Sequence, residues 1–399
     1  MTLRIVTEGS RESTENLKVA IVGPPLSVLF GGQEVQADAL VSHWQRDPDV
    51  SATFVASRPA FPKALAPVNR VPYLRTLARF PMYVGKLLHA VGKVDLVHVF
   101  AGSFNTFLLA TAPAFVVARL LNKKVIIHYH SGRGNEHLGR SALARRILRA
   151  CNLVVVPSEY WAAAFRAHGV ASRVVANVVD PNGFPYRARN PVQPKLLCTR
   201  NLEAHYGIDV VVRAFARVQR EFPEASLRLV GSGRQESEVR RLVGELALKH
   251  VQFMGAVHPE GMPAIYDESD IFVNGSYIDC APVSILEAFC SGLPVVTTAA
   301  GGIPCLVQHE HTGLLSAPGD WEALAQSVLR LLRDPNLAKS MAETARQQGQ
   351  LHSWTNLRTM WLGAYQETRP RRATQSFALG SDIRPWQGGP AREERFSSD

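Results

Sequence analysis

The stretch Asn274–Pro304, NGSYIDCAPVSILEAFCSGLPVVTTAAGGIP, decides how the chain must be built. It reads as a strand end, a loop, a short helix, a second strand and a glycine turn. Pro282 fits the first helical position, where a missing N–H costs nothing. Gly292 fits the left-handed residue that closes a helix. Cys280 and Ala281, just before the proline, offer no good capping oxygen. The amides of Val283, Ser284 and Ile285 are therefore expected free at the positive end of a helix, a ready anion site. Glu287 lies one turn further in, on the face of Val283 and Ser284. A second backbone-rich turn, Ala300-Gly301-Gly302, follows the apolar strand Pro294–Thr298. With carboxylates at Asp279 and Glu287, two such turns at neighbouring strand ends suit a polyhydroxylated, phosphorylated ligand.

Outward from this stretch, strands and helices alternate almost throughout, which predicts parallel sheets covered by helices on both faces. In the first half, strands are predicted at Leu17–Val22, Ala52–Val55, Asp95–Phe100, Lys124–His128, Leu153–Val156 and Arg173–Val175. Helices are predicted from Gln33, over Phe104–Leu121 and over Ala142–Ala150. Residues 187–195 (RARNPVQPK) are polar, aperiodic and Pro-containing, and read as an interdomain linker. The second half repeats the pattern, with strands at Leu196–Thr199, Ser226–Val230, Val251–Phe253, Ile271–Val273 and Val295–Thr298. Asp320 caps a helix through Leu332, another helix follows from Asn336, and Trp354–Gln366 is the last. The expected organisation is a flexible leader over 1–16, one domain over 17–188, a second over 189–350, a final helix over 351–368 and a disordered tail over 369–399.

The 399 residues suit two domains, and a hydrophobic fraction of 46% supports sizeable cores. Cys151, Cys198, Cys280, Cys290 and Cys305 are odd in number and scattered, without a C-x-x-C pair, which argues against a disulfide framework or a zinc site. They fit a reducing cytoplasm. No window approaches the uninterrupted apolar length of a membrane span, and the polar start is no secretory signal. The net charge of +10 favours anionic partners. Nucleic acid is not expected, because no zinc finger, aromatic RNA-binding strand or recognition-helix motif is present.

The spacing Asp279-x7-Glu287, the run SILEAFCSGLPVV over 284–296, and the GGIP turn (301–304) followed by HTGLL (His311–Leu315) resemble the retaining glycosyltransferases of family 4. The resemblance covers roughly residues 17–368 and is densest over 195–320. It implies the α/β GT-B fold, two Rossmann-like parallel-sheet domains facing across a cleft, with the last helix packing back on the first domain. It also implies transfer of a sugar from a nucleotide-sugar donor, with retention of configuration and without a metal ion. One departure stands in the motif itself: the family's first acid is usually Glu, and here it is Asp279.

In open parallel sheets the ligand site lies beyond the carboxyl ends of the strands, and the remaining candidates sit there. Gly31-Gly32 lets backbone approach a diphosphate, as the family's glycine pair does. In His128-Tyr129-His130-Ser131-Gly132, His130 is taken to reach the reacting sugar and His128 to stand behind it. Arg200 offers a cation that stays charged when desolvated, with a fork matched to phosphate oxygens. The family pairs this arginine with a lysine just before a glycine; here that position holds Tyr206, before Gly207. Gly231 and Gly233, in the family's V-G-x-G turn, are expected beside the nucleotide, and Val257 beside its base. Glu287, in a helix otherwise lined by Val283, Ile285, Leu286, Phe289 and Cys290, needs a partner, and a ribose diol is a good one. Asp279 is expected on the sugar hydroxyls, with capping of its own loop as the alternative. Asp47-Pro48-Asp49 matches a D-x-D metal motif literally but sits in a polar turn, the preferred reading.

The expected candidates are thus His130, Asp279 and Arg200 for catalysis. Gly31, Gly32, Arg200, Tyr206, Gly231, Gly233, Val257, Val283, Ser284 and Glu287 are expected to hold the donor. No metal and no separate cofactor is expected, the nucleotide sugar being the substrate. The acceptor is expected to be a glycan or a lipid-linked molecule, as in cell-surface polysaccharide synthesis. A nucleotide-sugar epimerase or hydrolase of the same fold, or a non-catalytic glycosyltransferase-like partner protein, is the alternative. Residues 70–93, which mix Arg70, Arg75, Arg79, Lys86, His89 and Lys93 with Leu, Phe and Tyr, form an amphipathic element suited to an anionic membrane, or an ordinary solvated helix. The expected location is the cytoplasm, or its membrane face.

Overall fold

Short runs of Val, Ile and Leu bounded by turn residues fit strands buried on both faces, and the central strands of the structure are arranged that way. The structure, a computed structural model, describes residues 16–25, 31–62 and 71–368. The expected leader, but for Asn16, and the expected tail lie outside the described residues, as does Arg70. The first half contributes β1 (Leu17–Gly23), β2 (Val50–Ala56), β3 (Leu96–Ala101), β4 (Lys124–Tyr129), β5 (Leu153–Val156) and β6 (Arg173–Val174). They form a six-stranded sheet in the order β2-β1-β3-β4-β5-β6, all parallel. The second half contributes β7 (Lys195–Thr199), β8 (Ser226–Val230), β9 (Val251–Gly255), β10 (Ile271–Val273), β11 (Val295–Thr298) and β12 (Leu314–Ser316). Its order is β12-β11-β10-β7-β8-β9, again parallel. These are two Rossmann-like domains. β12 is the strand that the sequence did not signal: three residues carry no readable alternation.

Each sheet is packed on both faces. In the first, Val97, Val99, Val125 and Ile127 meet one layer of helices, and Val19, Ile21, Leu96 and Ile126 meet another. The second layer is made by the helices Gly32–Trp44 and Trp354–Glu367, so the last helix closes a core begun by the first strand. Trp44 Nε1 donates to Tyr365 Oη at 3.1 Å, and Tyr365 Oη lies 2.9 Å from His98 Nδ1. Arg358 forks onto Asp47 at 2.6 and 2.9 Å and also reaches Asp49. The D-x-D of the sequence is therefore the anchor of the final helix.

Two further expectations change. Phe104–Leu121 is not one regular helix: a π-helical turn, Phe107–Thr111, precedes the α-helix Ala112–Leu120. Residues 187–195 do run between the two sheets, as a linker would, but they are bound to the second domain rather than solvated. Arg189 is 4% exposed and donates to the carbonyls of Ser269, Tyr266 and Ser291 at 2.6–2.8 Å, while Arg187 pairs with Asp267 and Asp270. Charged side chains mark a segment as polar, but not whether it faces water or a set of carbonyls.

Candidate active site

The carboxyl ends of the two sheets open on a pair of adjoining cavities. The inner one, about 440 Å³, is lined by Gly31, Gly32, Arg200, Tyr206, Gly231, Val257, Val283, Ser284 and Glu287 among others. The outer one, about 300 Å³, is lined by His130, Asp279, Arg200, Tyr206, Gly31, Gly32 and Val283 among others. Arg200, Tyr206, the glycine pair and Val283 border both, so they form the junction. Every sequence-predicted site residue but one meets here. The exception is Gly233, which lines neither cavity; a Cβ there would sit 2.2 Å from the Leu202 carbonyl oxygen. Its glycine serves backbone packing, and spacing alone does not distinguish that from ligand approach.

The short helix begins one residue later than the proline suggests. Pro282 is its N-cap (φ −68°, ψ 118°), Val283 is the first helical residue, and Gly292 closes it at φ +74°. No side chain caps the N-terminus, and the Ile285 amide is bonded to the Pro282 carbonyl at 3.2 Å. The anion-binding end is thus narrowed to Val283 and Ser284, both on the inner cavity. Glu287, one turn on, accepts from Tyr266 Oη at 2.7 Å. Burial pushes its carboxyl up to about 6, against the opposing pull of Tyr266 and Arg200. Tyr266, which also bonds Thr199 and the Ser284 carbonyl, carried no motif signal. The one available clue is that a tyrosine inside an apolar helix needs a partner for its hydroxyl.

Arg200 is where the two departures from the family pattern converge. Its guanidinium pairs with Asp279, the two side chains being 11% and 7% exposed, and stacks 4.0 Å over the Tyr206 ring. Burial opposes the charge most, but Asp279 together with Tyr206, Cys198 and Tyr266 outweighs it and raises the guanidinium above its ordinary range. Asp279 Oδ1 meanwhile accepts from its neighbour's amide, Cys280 N, at 2.7 Å. So Asp279 does cap its loop, and it also occupies the arginine.

The glycine turn has a different task from the one its sequence suggests. Gly301 and Gly302 line neither cavity; a Cβ on Gly301 would lie 2.2 Å from the Asp279 carbonyl oxygen, and on Gly302 1.9 Å from that of Cys280. The Gly302 amide bonds the Asp279 carbonyl at 3.0 Å, and Gly301 takes φ +57°. The turn clamps the loop that carries Asp279.

His130, just past the end of β4, borders the outer cavity, with His128 buried behind it and the two Nε2 atoms 2.7 Å apart. Burial pushes His130 down to about 3 and His128 well below its usual value. At neutral pH His130 is an uncharged hydrogen-bonding group rather than a cation. Four residues of the cavity walls each carry a buried polar atom with no hydrogen-bond partner among the described residues: Arg200 Nε, Ser284 Oγ, Asn177 Oδ1 and Gln33 Nε2. Gln33 and Asn177 lay outside any motif.

Comparison with known proteins agrees with this architecture. Residues 30–182 match the family described as Glycosyltransferase Family 4, and residues 185–348 match Glycosyl transferases group 1. Over these two segments the chain is similar to group 1 glycosyltransferases, and its architecture is that of the GT-B fold. A sulfoquinovosyl transferase of Arabidopsis thaliana is 24% identical over 307 residues, 70% of this chain and 57% of that protein. A GDP-mannose-dependent alpha-(1-6)-phosphatidylinositol monomannoside mannosyltransferase of Mycolicibacterium smegmatis is 26% identical over 294 residues, 67% of this chain and 75% of the relative. The chain's match thus spans little more than half of the plant relative's length. Among solved structures, Anabaena HepE in complex with UDP and glucose superposes with a TM-score of 0.70 at 18% identity, covering 88% of this chain and 100% of that one.

Proposed function

We propose that this protein transfers a sugar from a nucleotide-sugar donor to an acceptor hydroxyl, with retention of configuration. One observation carries the reading: the uncapped helix end at Val283 and Ser284, Arg200 and Glu287 open on one cavity that also holds unpartnered buried polar atoms. The helix amides, the Gly31-Gly32 backbone and Arg200 take the diphosphate, Glu287 the ribose diol, and Val257 the base. The sugar extends into the outer cavity, toward His130 and Asp279. Attack comes from the face that the diphosphate leaves. The acceptor oxygen bonds the anomeric carbon, the bond to the diphosphate breaks with its electron pair on the phosphate, and that phosphate takes the hydroxyl proton. Charge developing on the leaving group is met by fixed amides and a guanidinium, without a metal ion. The donor is the substrate, and no separate cofactor takes part.

Titration with UDP, GDP and ADP, followed by assay of the matching sugar donors with and without acceptor, tests this. The expected result is one preferred nucleotide and sugar transfer that needs acceptor. Release of free sugar regardless of acceptor would favour an epimerase or hydrolase. Binding without turnover would favour a non-catalytic partner, a reading that the prior pairing of Arg200 with Asp279 supports.

The acceptor side fits a glycan or lipid-linked molecule presented at a membrane. The helix Pro72–Val91 leaves Tyr73 91% and Leu77 72% exposed, with Leu74 and Leu88 about half so, beside Arg75, Lys86 and Lys93. Apolar side chains among cations on one exposed helix suit anionic lipid. Among the described residues no helix is long and apolar enough to cross a membrane, so contact would be peripheral. Pelleting with anionic but not neutral liposomes, weakened by salt, is the expected outcome; indifference to lipid charge would remove the membrane from the proposal.

A further inference from the structure

The inner cavity is short of positive charge. Asp38, Asp180, Glu260 and Glu287 all border it, and Arg200 is the one Lys or Arg among its described lining residues. Where the family pattern has a second cation, Tyr206 places only a ring face under the guanidinium. Arg200 is already paired with Asp279. A nucleoside diphosphate must enter an acidic cavity whose arginine is taken.

The loop cannot relieve this by moving away. Gly301 and Gly302 press on the carbonyls of Asp279 and Cys280, and the Gly302 amide holds the first of them. The Asp279 side chain can still turn about its own bonds, and when it leaves Arg200 it remains at the border of the outer cavity. With its cation gone, the carboxylate keeps at most the Cys280 amide and the Ser276 hydroxyl, and has to find further donors or stand close to phosphate oxygens of like charge.

We propose that Asp279 is a resident stand-in for the phosphate, and that donor binding is an exchange. The diphosphate takes Arg200, and the released carboxylate accepts the hydroxyls of the attached sugar. This rests on the glycosyltransferase reading above and adds a discrimination to it. An intact nucleotide sugar supplies both halves of the exchange. The bare nucleoside diphosphate, which is the product, supplies only one and leaves the Asp279 carboxylate without its cation, held at most by the Cys280 amide and the Ser276 hydroxyl. Asp279 is thus a specificity-determining residue that favours donor over product, and Tyr206, by withholding a second cation, makes the exchange necessary.

Calorimetry on wild type and Asp279→Asn, with UDP, GDP and ADP and with UDP-glucose, GDP-mannose and ADP-glucose, tests the exchange. Asp279→Asn is expected to bind the preferred bare diphosphate about tenfold more tightly, the scale of one charge-assisted contact. It should bind the intact donor no more tightly, so that the ratio of donor to product affinity falls. An unchanged ratio would overturn the inference and mean that Arg200 serves phosphate and Asp279 together, its unpartnered Nε taking the phosphate. Should the asparagine variant fail to fold, product inhibition of wild type decides the matter. The exchange requires the bare diphosphate to bind more weakly than the donor, and equal or tighter binding overturns it. If wild type binds no nucleoside diphosphate at all, the functional reading falls as well, an outcome distinct from either of these.

Discussion

Replacing Glu287 with alanine is expected to weaken nucleoside diphosphate binding by about 1.5–3 kcal/mol, roughly 10- to 100-fold, the effect of losing a hydrogen bond to a charged group. One carboxylate oxygen is committed to Tyr266 Oη at 2.7 Å, which fixes the group's direction and leaves the other for the ribose. The carboxyl also supplies a pH signature. The ionised form accepts from the diol, so affinity should fall as pH drops through about 6. Stability has the opposite slope. Because burial raises this pKa from 4.5 to about 6 in the fold, the stability linked to its proton is complete below 4.5 and lost as pH rises through about 6. Calorimetric titration between about pH 5 and 8 should show the binding loss in wild type and its absence in Glu287→Gln. Equal affinity in wild type and Glu287→Ala would remove the ribose assignment.

Arg200→Ala should have the largest effect of any single change, and on two measurements at once. It leaves Asp279 buried without its cation, which costs about 3–5 kcal/mol for an enclosed pair. It also removes the arginine from the leaving group, expected to lower kcat/KM by about 100- to 1000-fold. The two consequences separate in a double variant. Arg200→Ala/Asp279→Ala should melt at a higher temperature than Arg200→Ala alone, because the stranded carboxylate is gone, while transfer stays low. Arg200→Lys should recover stability in part and activity little, since an ammonium cannot offer a planar fork or stack on Tyr206 in the same way. Transfer within tenfold of wild type in Arg200→Ala would rule the arginine out of the diphosphate site.

Much of the fold was legible because it is written in local patterns. Leu153–Val156, Ser226–Val230, Ile271–Val273 and Val295–Thr298 are bounded where their apolar runs begin and end, and Asp320 caps its helix through the Ala323 amide at 2.9 Å. Nine of the residues lining the inner cavity were legible for a related reason, since strand ends in a parallel sheet converge, whereas Asp38, Asp180 and Glu260 were not. Relations between distant side chains were not. Nothing in the neighbourhood of Arg200 or Asp279 announces a pairing across 79 positions, and a buried Arg189 looks in sequence like a solvated one. Glycines were the most misleading signal. Gly31 and Gly32 border the cavities, whereas Gly233, Gly301 and Gly302 let one piece of backbone press on another. Both tasks demand a missing side chain, so the residue type cannot tell them apart.

The closing of the first sheet by the last helix places a constraint on synthesis. Trp44 and Tyr365 are 321 residues apart, a stretch that a ribosome adds in roughly 15–60 s at ordinary elongation rates. From Val174 onward every strand of their sheet has been made, yet Val19, Ile21 and Trp44 still have one wall of their core missing until the last helix is added. The first half of the chain therefore cannot finish first, as an N-terminal domain ordinarily does. It must wait on the ribosome with an oily face uncovered until the second half has been translated. A nascent chain released before Trp354 would keep that face bare for good, a natural target for chaperones and proteases.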